Sequence, residues 1–200
     1  MTILISGING FVGRHLAREL SSRSIQIFGV ARSEIEPHED ISRLLIGYKQ
    51  CDVTSIEDVG RLPLSKINCV INLAGLANMG ASFNNPDLYM KVNVDVLRAL
   101  GSSLLEVNPR ARMIAVSTGA LYDPLQNMPL DEKSRLTVSG SPYALSKIAM
   151  ERVATELREK GQDCIIVRPF NHIGPGQGHG FLVPDLLEKL RNMDPQNPKI

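Results

Sequence analysis

The stretch Ile3-Leu-Ile-Ser-Gly-Ile-Asn-Gly-Phe-Val-Gly13 stands near the start of this 200-residue chain. Its apolar beginning predicts a buried strand, and the residues after Gly13 repeat apolar side chains at helical spacing. A Gly-x-x-Gly-x-x-Gly triplet between a strand and a helix is typical of a dinucleotide-binding turn. Glycine permits the tight turn, lets a diphosphate approach bare backbone, and lets the helix pack closely. The residues predicted to bind the dinucleotide are Gly7, Asn9, Gly10, Phe11, Val12 and Gly13. The alternative is an ordinary strand–turn–helix joint.

Short apolar segments alternate with helical patterns along the whole chain. Strands are predicted at residues 2–5, 25–30, 44–51, 69–73, 113–117 and 164–168. Helices are predicted at residues 11–22, at 54–60 with Thr54 as the cap, and at 86–106, 142–160 and about 182–193, and loops at 31–42, 118–140 and 174–180. Short, almost wholly apolar strands are typical of parallel strands covered on both faces. The pattern therefore predicts an α/β fold with a Rossmann-like, doubly wound parallel sheet.

Composition excludes several classes of function. The chain has 22 basic and 21 acidic side chains, a balance that favours neither a nucleic-acid partner nor an anionic membrane surface. No apolar run is long enough to cross a bilayer, and no signal peptide is expected. The three cysteines form no Cys-x-x-Cys pair, and no Cys/His cluster has ligand spacing. We therefore expect a cytoplasmic protein without a metal site.

Tyr143 and Lys147 form a second signal, because residues four apart share one face of a helix. A free tyrosine has a pKa of about 10, and a nearby cation favours the phenolate. Thr118 follows the fifth predicted strand and can donate a hydrogen bond to the same substrate oxygen. These three residues are predicted to be catalytic, as a proton relay at a carbinol or carbonyl beside a nicotinamide cofactor. The alternative for the Tyr–Lys pair alone is a solvated helix face.

The motifs then occur in the order of a known family. The matching residues are Gly7, Gly10, Gly13, Asp52, Val53, Asn72, Leu73, Ala74, Gly75, Asn93, Ser117, Thr118, Tyr122, Tyr143, Lys147, Arg168, Pro169, Phe170 and Asn171. The chain resembles the short-chain dehydrogenase/reductase superfamily. It looks like the extended branch, the NAD-dependent epimerase/dehydratase family, whose members act on nucleotide sugars. The resemblance covers essentially the whole chain.

The resemblance implies further binding residues. Asp52, with Val53, would contact the adenine, and Leu73, Ala74 and Gly75 would lie along the cofactor. Asn93 would support the active-site helix at the cofactor site, and Asn171 would touch the sugar nucleotide, as Thr118 would. Two of these have plainer alternatives: Asp52 as a helix-initiating carboxylate and Asn93 as a buried amide bonded to backbone.

The segment from Arg168 to Gln177 is similar to that of the GDP-4-dehydro-6-deoxy-mannose reductases, which make GDP-rhamnose. Dehydratases of the branch carry a glutamate two residues after the catalytic threonine, and here that position is Ala120. Reduction of the 4-keto group of a nucleotide-linked 4-keto-6-deoxy sugar is therefore expected. The alternatives are an NDP-hexose 4-epimerase of the UDP-glucose type and a non-catalytic nucleotide-sensing Rossmann protein.

The end of the second predicted strand bears on cofactor choice. An acidic residue there binds the ribose 2′-hydroxyl of NAD, whereas Arg32 stands here and can bind a 2′-phosphate. NADP(H) is expected to be preferred and NAD(H) to be possible, with an ordinary exposed arginine as the alternative.

The resemblance also bears on domains and assembly. Residues 1–170 would be the NAD(P)-binding Rossmann domain and residues 171–200 the start of the substrate-binding region. The rest of a C-terminal substrate domain would be largely missing or truncated. A homodimer through helices 86–106 and 142–160 is implied.

Overall fold

Six parallel strands form one sheet in the order β3-β2-β1-β4-β5-β6 in the computed structural model, which describes residues 1–33 and 38–193. The strands are β1 Thr2–Ser6, β2 Gln26–Ala31, β3 Leu45–Gln50, β4 Cys69–Asn72, β5 Arg112–Val116 and β6 Cys164–Val167. The order reverses between β1 and β4, and ligands of such sheets bind outside the carboxyl ends of the strands at that point. The predicted Rossmann-like sheet is confirmed.

The helices lie between the strands. They are α1 Phe11–Ser22, α2 Glu39–Ser42, α3 Ile56–Gly60, α4 Met79–Ser82, α5 Pro86–Val107, α6 Pro142–Glu159 and α7 Leu182–Arg191, with 3₁₀ turns at Leu64–Lys66 and Gly119–Leu121. None of the helices in residues 1–33 and 38–193 combines the length and the apolar character that a membrane span requires.

Both faces of the central strands β1 and β4 are buried. Leu4 and Val70 pack into a cluster with side chains of α5 and α6, whereas Ile5 and Ile71 pack into a second cluster with Ala17 of α1. Successive side chains of a strand point to opposite faces, and here each face meets a hydrophobic layer. The two layers explain why the central strands are apolar at nearly every position.

Helix α6 has well-defined ends. The Ser141 hydroxyl accepts a hydrogen bond from the Ala144 N–H (3.2 Å), and Pro142 occupies the first turn, where a missing N–H is harmless. Gly161 follows the helix with a φ of +94°, a conformation that glycine adopts without strain. These signals fix where Tyr143 and Lys147 stand along the helix.

Two short features differ from the sequence prediction. Helix α2 occupies part of the predicted loop at 31–42, of which 34–37 lie outside the described residues. Its one buried side chain, Ile41, is too little to give a helical period. The predicted cap at Thr54 is wrong: Ser55 accepts from the Asp58 N–H, and the Thr54 hydroxyl instead donates to Asp52 (2.7 Å).

The chain divides into two compact units, Met1–Phe170 and Asn171–Ile200. The first contains the sheet and helices α1 to α6. The described part of the second contains α7, which ends at Arg191, two residues before the predicted end.

Candidate active site

The glycine loop joins β1 to α1 as a tight turn. Gly7 has a φ of +74°, and a Cβ added there would lie 2.9 Å from the backbone nitrogen of Ala74. A Cβ at Gly13 would lie 2.5 Å from the carbonyl oxygen of Gly7. Gly10 caps α1 without any side-chain hydrogen bond, and both Gly10 and Val12 are exposed. The helix N-terminus is thus presented as bare backbone, which suits the diphosphate of a dinucleotide.

The loop continues toward the end of β4. Ser6 donates to the Asn72 carboxamide oxygen (2.7 Å), and the Ala74 N–H donates to the Ser6 hydroxyl (3.3 Å). Gly75 has a φ of +152°, and a Cβ added there would lie 3.8 Å from the Lys147 ammonium nitrogen. Backbone from the dinucleotide loop therefore leads directly to a side chain of the predicted catalytic group.

Asn93 is buried, at 1% exposed, and its amide is fully bonded to protein groups. Its oxygen accepts from the Leu76 N–H (2.8 Å), and its nitrogen donates to the Leu76 carbonyl (3.1 Å) and to the Ser146 hydroxyl (2.8 Å). The side chain therefore joins the segment after β4 to α6. Asn93 therefore supports α6, as the resemblance implied, through the buried amide bonded to backbone that was its plainer alternative.

Thr118, Tyr143 and Lys147 lie together at the carboxyl end of β5. The Thr118 hydroxyl lies beside the Tyr143 phenol and lowers its pKa. The Lys147 ammonium donates to the carbonyl oxygen of Val116, the last residue of β5 (3.0 Å). Tyr89 of α5 packs edge-on against the Tyr143 ring, with 6.5 Å between the ring centroids. The three predicted catalytic residues thus form one cluster.

Burial sets the charge states in this cluster. It raises the pKa of Tyr143, and the Thr118 hydroxyl opposes that rise. Burial lowers the pKa of Lys147 to about 8, although the Glu151 carboxylate opposes that change. The expectation that Lys147 lowers the phenol pKa is not met in this structure, since desolvation is the largest influence on both groups. Tyr143 is a phenol at neutral pH and so carries a proton to donate.

A buried ion pair lies on the same face of α6. Arg168 makes two hydrogen bonds to Glu151, from Nε to Oε1 (2.9 Å) and from Nη2 to Oε2 (2.7 Å). Its guanidinium also lies over the Tyr122 ring, 5.2 Å from the centroid. The Glu151 carboxylate raises the pKa of Arg168. Glu151 stands four residues after Lys147, a spacing that sequence reasoning could have used but did not.

A cleft of about 310 Å³ opens at the carboxyl ends of β2 and β3. Its lining residues are Arg32, Lys49, Gln50, Cys51, Asp52, Asp58 and Arg61. Asp52 accepts two hydrogen bonds from Thr54, and these bonds lower its carboxyl pKa, with a smaller contribution from Arg32. Arg32 and Asp52, both expected at the adenosine end of the cofactor, therefore share one cleft.

The remaining predicted residues are placed differently. The Val53 side chain is in the hydrophobic core, so only its backbone faces outward, and Leu73 and Ala74 are half-buried beside the glycine loop. Phe11 packs edge-on against His15, and Asn9 is half-buried in the loop. Asn171 belongs to the second compact unit, where it is exposed.

Comparison with known proteins finds relatives that are named as nucleotide-sugar enzymes. It is 25% identical over 194 residues to a GDP-6-deoxy-D-mannose reductase of Pseudomonas aeruginosa, covering 96% of this chain and 59% of the relative. It is 28% identical over 204 residues to a UDP-glucose 4-epimerase of Yersinia enterocolitica, covering 98% of this chain and 60% of the relative. The chain thus spans about 60% of the length of these relatives.

A solved structure has the same fold. The dTDP-glucose 4,6-dehydratase DesIV of Streptomyces venezuelae, crystallised with NAD, superposes with a TM-score of 0.85 at 22% identity, over 96% of this chain and 62% of that one. The model of the family described as "NAD dependent epimerase/dehydratase family" matches residues 3–194. Because that match extends over nearly the whole sequence, the chain belongs to the NAD-dependent epimerase/dehydratase family.

Proposed function

We propose that this chain carries the cofactor-binding and proton-transfer part of an NAD(P)H-dependent reductase. Its substrate would be a nucleotide-linked 4-keto-6-deoxy sugar, and the reaction would be of the GDP-4-dehydro-6-deoxy-mannose to GDP-rhamnose type. The observation that carries the proposal is the cluster of Thr118, Tyr143 and the buried Lys147 at the carboxyl end of β5. The reductase of Pseudomonas aeruginosa among the relatives supports this choice of reaction.

Each side chain has a definite task in this reaction. The nicotinamide, when bound, supplies a hydride to C4 of the sugar. Thr118 orients the carbonyl oxygen, and Tyr143 transfers its phenolic proton to that oxygen as negative charge develops on it. Lys147 lies one helical turn from Tyr143, where its ammonium would hold the nicotinamide ribose. A proton from solvent then restores the phenol.

The glycine loop fits the diphosphate of the cofactor. Gly10 leaves the N-terminus of α1 without a capping side chain, and a Cβ at Gly7 or Gly13 would strike backbone. Gly7 to Gly13 would hold the phosphates. Gly75 would lie along the cofactor, next to Lys147. We assign the NAD(P)-binding domain to residues 1–170 and the start of the substrate-binding region, with Asn171, to residues 171–200.

Cofactor preference is inferred from the charge of the cleft at the carboxyl ends of β2 and β3. We place the adenosine of the cofactor there and call it the adenosine cleft. Arg32, Lys49 and Arg61 outnumber the two carboxylates, Asp52 and Asp58, in its lining. A 2′-phosphate carries about two negative charges and forms strong charge-assisted hydrogen bonds to a guanidinium. These charges support a preference for NADPH over NADH.

The residues after Thr118 disfavour dehydration. Gly119 and Ala120 form a 3₁₀ turn and offer no carboxylate to remove the proton at C5. A 4-epimerase remains the second candidate, because it would use the same three side chains with a tightly held NAD. The relationship to the Yersinia enterocolitica epimerase favours this alternative.

Assembly and compartment complete the proposal. Helices α5 and α6 would form the interface of a homodimer, and Leu88 and Met90 of α5 are 49% and 40% exposed. The three cysteines are buried and unbridged, which fits a reducing cytoplasm. Light scattering of the purified chain, with twice the monomer mass expected, tests the dimer.

The reaction is tested with purified protein, NADPH and GDP-4-keto-6-deoxymannose. We expect stoichiometric oxidation of NADPH with a GDP-6-deoxyhexose product. Tyr143→Phe should lower turnover by about 10³-fold, within the range for general acid catalysis, and leave the Kd for NADPH within about two-fold. An epimerised product from UDP-glucose, without NADPH consumption, would establish the second candidate instead.

A further inference from the structure

The pair of Arg168 and Glu151 connects three parts of the first compact unit. Glu151 is on α6 and is 6% exposed, whereas Arg168 follows β6. Besides Glu151, the guanidinium donates to the Tyr122 hydroxyl (3.2 Å) and to the carbonyl of Glu132 (3.1 Å). A buried carboxylate that accepts a forked, two-bond contact fixes its partner in one orientation. The pair therefore holds the segment after β5 against α6.

The backbone on either side of Arg168 also brackets Thr118. The Ser117 N–H donates to the Val167 carbonyl, and the Gly119 N–H donates to the Pro169 carbonyl, each at 2.8 Å. Thr118 is thus held between two hydrogen bonds to the immediate neighbours of Arg168. Any displacement of Arg168 relative to α6 will be transmitted to Thr118.

These contacts close a ring through the site. Backbone joins Thr118 to Arg168, the ion pair joins Arg168 to Glu151, and α6 joins Glu151 to Tyr143, whose phenol lies beside the Thr118 hydroxyl. We propose that Arg168 and Glu151 are positioning residues that set the Thr118 hydroxyl against the Tyr143 phenol. This inference rests on the proposed function only in calling that pair catalytic.

The charged and titratable groups around the pair come from every element packed there. Lys147 lies near Glu151 on α6, Tyr89 of α5 packs against Tyr143, and Tyr122 lies under Arg168. Glu151 is the carboxylate that opposes the fall in the Lys147 pKa. Replacing Glu151 with glutamine removes the two-bond contact with Arg168. It also removes the carboxylate that opposes the fall in the Lys147 pKa.

The test uses protein labelled with ¹³C at the tyrosine ζ carbon, whose NMR shift responds to hydrogen bonding of the phenol. The chain has four tyrosines, and Tyr143→Phe identifies the Tyr143 signal. Thr118→Val gives the shift that accompanies loss of the Thr118 hydroxyl beside the phenol. We expect Glu151→Gln to move the signal in the same direction, and Thr118→Val/Glu151→Gln to move it no further than Thr118→Val alone.

Asp163→Asn is the matched control. It breaks the ion pair with Arg112, which joins β5 to the residue before β6 at the opposite end of these two strands. This variant should leave the Tyr143 signal unchanged. If Glu151→Gln does not fold, Arg168→Lys keeps the charge without the forked contact, and the same shift is expected.

The NMR signal of Tyr143 tests the Arg168–Glu151 pair independently of the proposed reaction, because the measurement requires neither substrate nor turnover. Where the chain is active, Glu151→Gln should also lower kcat by about 100-fold, a loss of the size that misplacement by about 1 Å produces, with little change in KM for NADPH. A Glu151→Gln protein that melts earlier but keeps the wild-type Tyr143 signal would show that the pair only stabilises the fold. A double-variant shift equal to the sum of the single shifts would equally overturn the proposal.

Discussion

The two ends of the candidate site differ in composition: one is formed by backbone and the other by side chains. At the glycine loop, Gly7 and Gly13 are packed closely against backbone, and Gly10 leaves the exposed N-terminus of α1 without a side chain. At the proton-transfer end, Tyr143 and Lys147 are buried at 9% and 7% exposure, and their side chains form the site. The absence of side chains therefore determines the shape of the first end, and the burial of polar side chains determines the charge states at the second.

This difference teaches what each end tolerates. A backbone site has no charge to tune and is sensitive to one added methyl group. A buried side-chain site has its charge states set by everything packed against it, because removal from water changes pKa values more than a neighbouring charge does here.

Gly13→Ala should give the largest effect at the backbone end. The new Cβ would lie 2.5 Å from the Gly7 carbonyl and 2.7 Å from the Ile8 carbonyl, and neither backbone oxygen can move freely. We expect a loss of about 3 kcal/mol in the free energy of unfolding, at the upper end for overpacking. NADPH binding should fall by more than about ten-fold. Urea unfolding and NADPH fluorescence titration measure the two effects.

Gly60→Ala is the control for that change. Gly60 ends α3, and a Cβ there meets nothing within 4 Å. Alanine should leave stability unchanged or raise it by about 0.5 kcal/mol, since it restricts the unfolded chain. Equal losses in the two variants would show that Gly13 is not required by local geometry.

The sequence predicts the backbone end well, because glycine spacing is written in the chain. It predicts the central strands and the long helices α5 and α6 for a similar reason, since each carries its own apolar period or cap. Helix α2 and the Ser55 cap are not predicted, because elements of four or five residues are too short to show a helical period.

The sequence is less informative about the proton-transfer end. It places Tyr143 and Lys147 on one helix face, but the pKa of each depends on how deeply the face is buried. The Arg168–Glu151 pair joins residues 17 positions apart through tertiary packing. The Asn93 contact with Ser146 spans 53 positions. No local sequence pattern predicts these contacts, because each depends on tertiary packing.

Lys147→Met tests whether burial governs the second end. The pKa of Lys147 falls from 10.5 to about 8 on folding, so the unfolded chain binds more protons between these values, and the stability of the native protein rises with pH there. Methionine removes that dependence. We therefore expect the free energy of unfolding of Lys147→Met, relative to that of the wild-type protein, to be highest at neutral pH. This difference should decrease by roughly 2 kcal/mol from about pH 7.5 to about pH 9.5.

Urea unfolding of both proteins across this range gives the difference directly. Lys160→Met removes an exposed lysine at the end of the same helix, and it should track the wild-type protein at each pH. A constant difference between Lys147→Met and wild type would mean that burial does not depress the Lys147 pKa.

Arg32→Gln should give the smallest effect and tests the one feature of the exposed end that depends on a side chain. Arg32 is exposed at the mouth of the adenosine cleft, so water weakens its attraction to a phosphate. We expect the Kd for NADPH to rise about ten-fold, equivalent to about 1.4 kcal/mol, and the Kd for NADH to stay the same. Fluorescence titration is direct because the chain has no tryptophan.

Arg61→Gln is the comparison that makes the Arg32 result specific. Arg61 lines the same cleft but is paired with Asp58 at 3.1 Å, so its charge is already partly neutralised. A loss confined to Arg32→Gln and to NADPH would identify Arg32 as the 2′-phosphate residue. Equal losses for both cofactors would mean that Arg32 contacts the part of the adenosine they share. Equal losses in both variants would mean that the cleft attracts NADPH through its overall charge, and the exposed end would then have no single side chain that selects its ligand.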